Sequence, residues 1–307
     1  MRTGSEQARC ARVIFQFMAG FRRQSQPAGS VFLGHAPGNE DSPRPPTPGF
    51  TRRFEVKLRY RSMTMPTLTR HRTLVAIPAY NEAATIRNVV ERVRVNLPDC
   101  DLLVVNDGSQ DPTGTVLAGT NAIVVAHLCN LGYGRAIQTA VLYAQRAGYD
   151  RLVTLDADGQ HDPAQVAALL SEFDTGRWDL LIGSRYVVSR RYIGVPFGRR
   201  VGMQLFSSMV GVMAGRRIYD TTSGLKVIGR QTFPSLTNWQ FIDFHAEALV
   251  YLMQLGYRIG EFPITVAERR HGTTMYSTLS HIKYPLKTAL MVVLGLVQAN
   301  VTRRRPS

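Results

Sequence analysis

From residue 73 the chain alternates short apolar runs with longer stretches whose apolar residues recur every three or four positions. "TLVAIPAY" reads as a first strand, and "NEAATIRNVVERVRVNL" sets Ile86, Val89, Val90, Val93 and Leu97 at helical spacing. "DLLVVND" and "AIVVAHL" read as strands with a short helix or turn, "DPTGTVLAGT", between them. "GRAIQTAVLYAQRAG" reads as a helix, "RLVTLDAD" as a fourth strand, "DPAQVAALLSEFDTG" as a helix and "DLLIGSRY" as a fifth strand. This alternation predicts an α/β fold: a mostly parallel sheet with helices on both faces. In such sheets ligands gather beyond the carboxyl ends of the strands.

Upstream the pattern fails. Residues 1–70 hold "QPAGSVFLGHAPGNEDSPRPPTPGF", rich in Pro, Gly and Ser, with too few apolar residues to offset the entropy of ordering. We expect this stretch to be disordered or absent from the native protein, with translation starting at Met63 or Met65. "VIFQFMAGF" is short, is followed by Arg22 and Arg23 and has no clear small-residue cleavage site, so it does not read as a signal peptide. Residues 71–278 are expected to form one domain and 279–307 an amphipathic helix with a basic tail.

The formal charge is +15, and residues 1–72 hold thirteen Lys/Arg against four Asp/Glu, leaving 24 against 18 for the rest. A basic balance suits an anionic partner. The absence of zinc spacing or an RNA-binding signature argues against nucleic acid. Cys10, Cys100 and Cys129 are scattered and odd in number, which gives neither a disulfide framework nor a metal site and fits a cytoplasmic setting. No apolar run reaches the roughly eighteen residues of a membrane span.

The candidate chemistry lies at the strand ends. They deliver "PAYNE", "NDGSQD", "NLGYGRA" and "DADGQHD" to one rim, which reads as a nucleotide site. Asp107 fits either an Asx-turn or an acceptor for a base N–H. Glu82 either caps the following helix or meets the base or ribose. The glycines of "NLGYGRA" precede a helix start, which favours anions, although the GxGxxG spacing of a dehydrogenase is absent. In an extended segment Asp156 and Asp158 point to the same side, so a divalent ion, Mg²⁺ or Mn²⁺, would relieve their repulsion and bridge a diphosphate, with Gln160 as a further oxygen donor. Asp162 before Pro163 reads as a helix cap outside that set. His161 reads as a surface group or a support for the acid pair. A nucleotidyltransferase also uses paired carboxylates, but would carry a Gly-rich loop where this chain has "IPAYNE".

Together "IPAYNE", "VVNDGSQD", "NLGYGRA" and "DADGQHDP" resemble family 2 glycosyltransferases of the GT-A fold, in particular the dolichyl- and polyprenyl-phosphate mannosyl- or glucosyltransferase branch. The resemblance runs from about Thr73 to about Ser277. It implies that Pro78, Ala79, Tyr80 and Glu82 surround base and ribose, and that Asp107 bonds the base. Asp156, Asp158 and Gln160 would gather round the metal and diphosphate. Arg185 in "GSRY" would lie near the donor or acceptor phosphate, and Arg269 and Arg270 would contact the donor phosphates. Asp158, Arg185 and Arg270 are thereby the expected catalytic residues.

The resemblance also covers "YDTTSGLKVIGR", with Asp220, Ser223 and Lys226 in the family's slots, and Glu247 followed by "GYRIGEFPI" in its helix-then-strand arrangement. Relatives often place Lys after the Ser/Thr where this chain has Met275 after Thr274, which leaves open the basic residue that completes the clamp. Val201, Leu205, Met209 and Met213 share one helical face, either core or membrane contact.

The implied reaction moves a sugar from a nucleotide-sugar donor, of GDP-mannose or UDP-glucose type, to a lipid phosphate with inversion. The alternative acceptor is a saccharide hydroxyl in cell-envelope polysaccharide or glycolipid synthesis, with Asp243 or Glu247 as base. The Glu-Asp and Gln-x-x-Arg-Trp pairs of the family's polysaccharide synthases are absent. The tail's apolar run, Ala289 to Val297, is flanked by Lys283, Lys287, Arg303, Arg304 and Arg305. It reads either as an interfacial helix or as one docked on the domain or on a partner subunit; contact with lipid or a small membrane protein, the favoured reading, places the protein peripherally at the cytoplasmic face of a membrane.

Overall fold

The computed structural model describes residues 71–189, scattered positions between 200 and 216, residues 217–266 except 239, 240, 242 and 243, and residues 290 and 293–303. The expected extension 1–70, Asp243, Arg269, Arg270, Thr274, Met275, Lys283, Lys287, Arg304 and Arg305 lie outside the described residues, as do Val201, Leu205, Met209 and Met213.

Seven strands form one sheet in the order β3-β2-β1-β4-β6-β5-β7. They are β1 (Thr73–Ala79), β2 (Asp101–Asn106), β3 (Ile123–Ala126), β4 (Arg151–Thr154), β5 (Leu180–Ser184), β6 (Lys226–Gly229) and β7 (Ile259–Pro263). The helices between them are α1 (Ile86–Asn96), α2 (Thr113–Ala118), α3 (Tyr133–Arg146), α4 (Ala164–Phe173), α5 (Phe233–Asn238) and α6 (Ala246–Gln254).

Helices cover both faces of the sheet, so β1 buries apolar side chains on both sides. Leu74 and Ala76 of β1 share one core with Ala136, Ile137, Ala140 and Val141 of α3. Val75 and Ile77 face the other way, onto Ile86, Val89, Val90 and Val93 of α1. Each Val, Leu or Ile among them contributes about 1.5–3 kcal/mol on full burial.

The sequence pattern gave no separate strand for "KVIG". In the fold β6 inserts antiparallel between β4 and β5, pairing Lys226 with Thr154 on one side and with Ile182 on the other. Because it runs against its neighbours, its beginning lies at the carboxyl end of β4. That reversal carries "DTTSGLK" to the same rim as "DADGQHD".

Between β5 and β6, the described helical positions bury Met203, Ser207 and Val210 and leave Val212 exposed.

Candidate active site

The loops after β1 and β2 are stitched together. Asn81 takes a left-handed φ of 57°. Its amide donates to Ser109 Oγ at 3.0 Å, and its side-chain oxygen accepts from Gln110 N at 2.8 Å. Glu82 N donates to Thr113 Oγ1 at 2.8 Å, and Ala83 N to Asp111 Oδ2 at 3.1 Å. Burial alone would push the Asp111 carboxyl up, but the Thr113 and Ala83 hydrogen bonds outweigh it and hold it low. Glu82 sits at the start of α1, its carbonyl accepting from Ile86 N at 2.9 Å and its carboxylate from Thr85 Oγ1 at 2.6 Å. Pro78 and Ala79 end β1 opposite Val105 and Asn106, and Tyr80 next to them is 40% exposed.

Asp107 does something the turn reading did not anticipate. The Asx contact belongs to Asn106, whose Oδ1 accepts from Ser109 N at 3.1 Å. Asp107, buried, reaches across to the next loop instead. Its Oδ1 accepts from Leu131 N at 2.9 Å and meets His127 Nδ1 at 2.6 Å, and its Oδ2 accepts from Gly132 N at 2.8 Å. Gly108 makes this approach possible: at φ +67° its missing Cβ would lie 2.3 Å from the Cys129 carbonyl carbon.

The acid turn follows β4. The strand ends at Thr154, and Ala157 and Asp158 already lie in a turn. Strand alternation therefore does not set the two carboxylates, which corrects the extended reading. The turn is tied by Asp158 Oδ1 accepting from Gln160 N at 3.0 Å. Asp156 lies against the "SGL" backbone: a Cβ on Gly224 would stand 1.9 Å from its Oδ2, so only glycine leaves room. Thr154 Oγ1 fixes that backbone by donating to Gly224 O at 2.6 Å. Burial would push the Asp156 carboxyl up, but His161, His245 and Lys226 outweigh it and hold it below the usual carboxylate range. His161 is buried, with Nε2 3.7 Å from Asp156 Oδ2. Lys226, 1% exposed, donates from Nζ to the Ser223 carbonyl and lies 3.3 Å from His245 Nδ1. His245 in turn stacks on Tyr133 of the "NLGYGRA" loop, ring centroids 4.7 Å apart. Asp162 stands apart, its Oδ1 accepting from Ala164 N at 3.2 Å beside the start of α4 and from Arg92 Nη2 at 3.2 Å.

Arg185 follows β5 and is not a loose surface arginine. Its backbone N and Nε donate to Asp220 Oδ2 at 3.0 and 2.7 Å, and its Nη2 to Asp220 Oδ1 at 2.8 Å. Asp220 is fully buried. Burial would lower the guanidinium's pKa, but the bonds and charge of Asp220 outweigh it, with Asp156 adding to the effect, and raise it. The loop is held from β7, where Glu261 accepts from Tyr219 N and Asp220 N at 2.9 and 2.8 Å. Burial pushes the Glu261 carboxyl up, and the neighbouring Asp220 adds to that shift.

Glu247 is also buried, its Oε1 accepting at 2.7 Å from Gln298 Nε2 of the C-terminal helix, which is described at 290 and 293–303.

His127 and His245 were not legible as site residues, because each is a lone histidine whose partners come from other elements. Asp220 and Lys226 carried a signal, the "DTTSGLK" segment, but not their partners.

The oxygen donors of Asp156, Asp158 and Gln160 suit a hard divalent cation. Among the described residues no three His, Cys, Asp or Glu side chains converge on one point. An ion held by these residues would take its remaining positions from water and substrate oxygen.

A mostly parallel sheet thus gathers acids, a fixed arginine and glycine loops at one rim. The model of glycosyl transferase family 2 matches residues 74–223. The chain is 33% identical over 217 residues to polyprenol monophosphomannose synthase of Mycolicibacterium smegmatis, covering 67% of this chain and 81% of that protein. It is 33% identical over 215 residues to undecaprenyl-phosphate mannosyltransferase of Micrococcus luteus, covering 67% and 88%. Glucosyl-3-phosphoglycerate synthase from Mycobacterium tuberculosis, solved with Mn²⁺, UDP-glucose and phosphoglyceric acid, superimposes with a TM-score of 0.53 at 18% identity, covering 73% and 79%. That likeness bears on the fold. The chain belongs to glycosyl transferase family 2 and is a glycosyltransferase.

Proposed function

We propose that the protein transfers a sugar from a nucleoside-diphosphate donor to a polyprenyl phosphate, inverting the anomeric centre, peripherally at the cytoplasmic face of a membrane. The observation that carries this reading is that Asp156 and the fixed cation Arg185 both follow strands at the carboxyl rim of the sheet, Arg185 locked on Asp220 and Asp156 seated against the Gly224 backbone.

In this reading Pro78, Ala79, Tyr80 and Glu82 receive the base and ribose, and Asp107 shapes the base pocket while its free acceptor capacity meets a base N–H. Asp156, Asp158 and Gln160 would hold Mg²⁺ or Mn²⁺, which when bound would supply Lewis-acid stabilisation of diphosphate charge. Arg185, locked on Asp220, presents positive charge without reorganising as phosphate charge develops. By the family resemblance Arg269 and Arg270 would add to that charge.

A phosphate acceptor arrives ionised and needs no general base. The burial of Glu247 against Gln298 supports this choice, because it withdraws one candidate base for a sugar hydroxyl. The names of the Mycolicibacterium and Micrococcus relatives support the lipid-phosphate acceptor as well. The test is incubation with labelled GDP-mannose and UDP-glucose, Mn²⁺ and a polyprenyl phosphate. Label entering the lipid phase supports the reading, and label entering only a water-soluble glycan overturns the acceptor.

A further inference from the structure

The C-terminal helix has two apolar faces, and the fold uses one. On the inner side Ala299 is 1% exposed and Leu296 packs on the main core. Gln298 bonds Glu247, and Thr302 Oγ1 lies 3.2 Å from Tyr251 Oη. A Cβ on Gly295 would come within 2.7 Å of the Glu247 carbonyl, so the helix lies close against α6. On the outer side Leu290, Val293, Val297 and Val301 stand 56%, 46%, 52% and 39% exposed. Their spacing of three and four residues makes one stripe.

We propose that this stripe is a docking surface for an anionic lipid bilayer. The charge pattern selects that occupant. In the sequence Lys283 and Lys287 precede the stripe and Arg303, Arg304 and Arg305 follow it, and no Asp or Glu occurs from residue 283 to 307. A basic-flanked apolar stripe sits at the headgroup boundary, drawn by anionic lipid and by burial of its aliphatic side chains. A second copy would bring like charges together, and four half-exposed aliphatic side chains fall well short of the roughly 800 Å² per partner of a standard interface. Among the described residues no helix is long and apolar enough to cross a membrane, so the helix would lie in the surface plane. Its partner α6 begins next to His245, within the Asp156 cluster, so docking would hold the reacting rim at a fixed height above the bilayer. The inference deepens the lipid-phosphate reading and rests on it.

The test is flotation of the full chain with vesicles of phosphatidylcholine alone and with added phosphatidylglycerol. Binding is expected only with phosphatidylglycerol, and V293D/V297D is expected to weaken it at least about ten-fold. R303E/R304E/R305E should weaken it similarly through lost charge. Melting should be unchanged, because these positions are exposed; if the aspartate pair melts early, V293S/V297S replaces it. Equal flotation of variants and wild type overturns the proposal, as does wild-type binding to native membranes but not to protein-free vesicles. A wild-type dimer that V293D/V297D dissociates also overturns it. Transfer to detergent-dispersed polyprenyl phosphate, run in parallel, separates the two ideas. Its absence in the wild type sinks the acceptor reading, whereas the stripe proposal stands or falls on flotation.

Discussion

Asp220 holds Arg185 on three sides: one carboxylate oxygen accepts from both the backbone N and Nε, and the other from Nη2. Asp220 is fully buried and the arginine side chain is 25% exposed, so the pair faces the rim from a dry base. Removing one partner of a buried pair costs about 3–5 kcal/mol, so Asp220→Ala should lower the melting temperature sharply and abolish turnover. Arg185→Lys keeps the charge but loses the fork, and should fold normally while kcat/KM falls about ten-fold or more. Wild-type kcat/KM in Arg185→Lys would remove the arginine from the reaction.

Gly224 bounds the acid turn. In Gly224→Ala the new methyl group must displace the Asp156 carboxylate. A misplacement of about 1 Å costs roughly 100-fold in rate, so turnover should fall by that order, and the Mn²⁺-induced rise in melting temperature should shrink. Unchanged metal response and rate would show that Asp156 is not a ligand.

Gly108 carries both a left-handed backbone and a contact that admits no side chain. Gly108→Ala should cost about 1–3 kcal/mol, read as a lower urea midpoint at unchanged m-value.

Asp179 supplies a pH test far from the acid turn. Burial would push its carboxyl up, but bonds from Arg258 and Gln231 outweigh it and hold it low. A carboxylate with a lowered folded pKa contributes stability that is complete above its unfolded value, about 3.9, and is lost as pH falls through the folded value. Asp179→Asn should therefore melt below wild type at pH 7, and the gap should narrow toward about pH 2.5. A constant gap across the titration would contradict the assignment.

Much of this was legible in the sequence, for physical reasons. β1 and β2 read as unbroken apolar runs because both faces of each are covered, and α1 showed its buried face at helical spacing. β6 did not, because it is four residues long, opens on a buried lysine and is ordered by strands distant in sequence. The rim motifs told where the chemistry lies but not how it is held. Asp107 is bonded to residues 20 to 25 positions away, and Arg185 to one 35 positions away. The geometry of the acid pair was misread for a local reason: the strand stops at Thr154, two residues before Asp156.

The central claim, that the turn carrying Asp156 and Asp158 performs transfer on a metal-held diphosphate, is tested most directly by the single-turnover rate of Asp158→Ala with saturating donor sugar, Mn²⁺ and polyprenyl phosphate. The account predicts donor binding that survives weakly and a rate at least about 1,000-fold below wild type. A rate within ten-fold of wild type would contradict it.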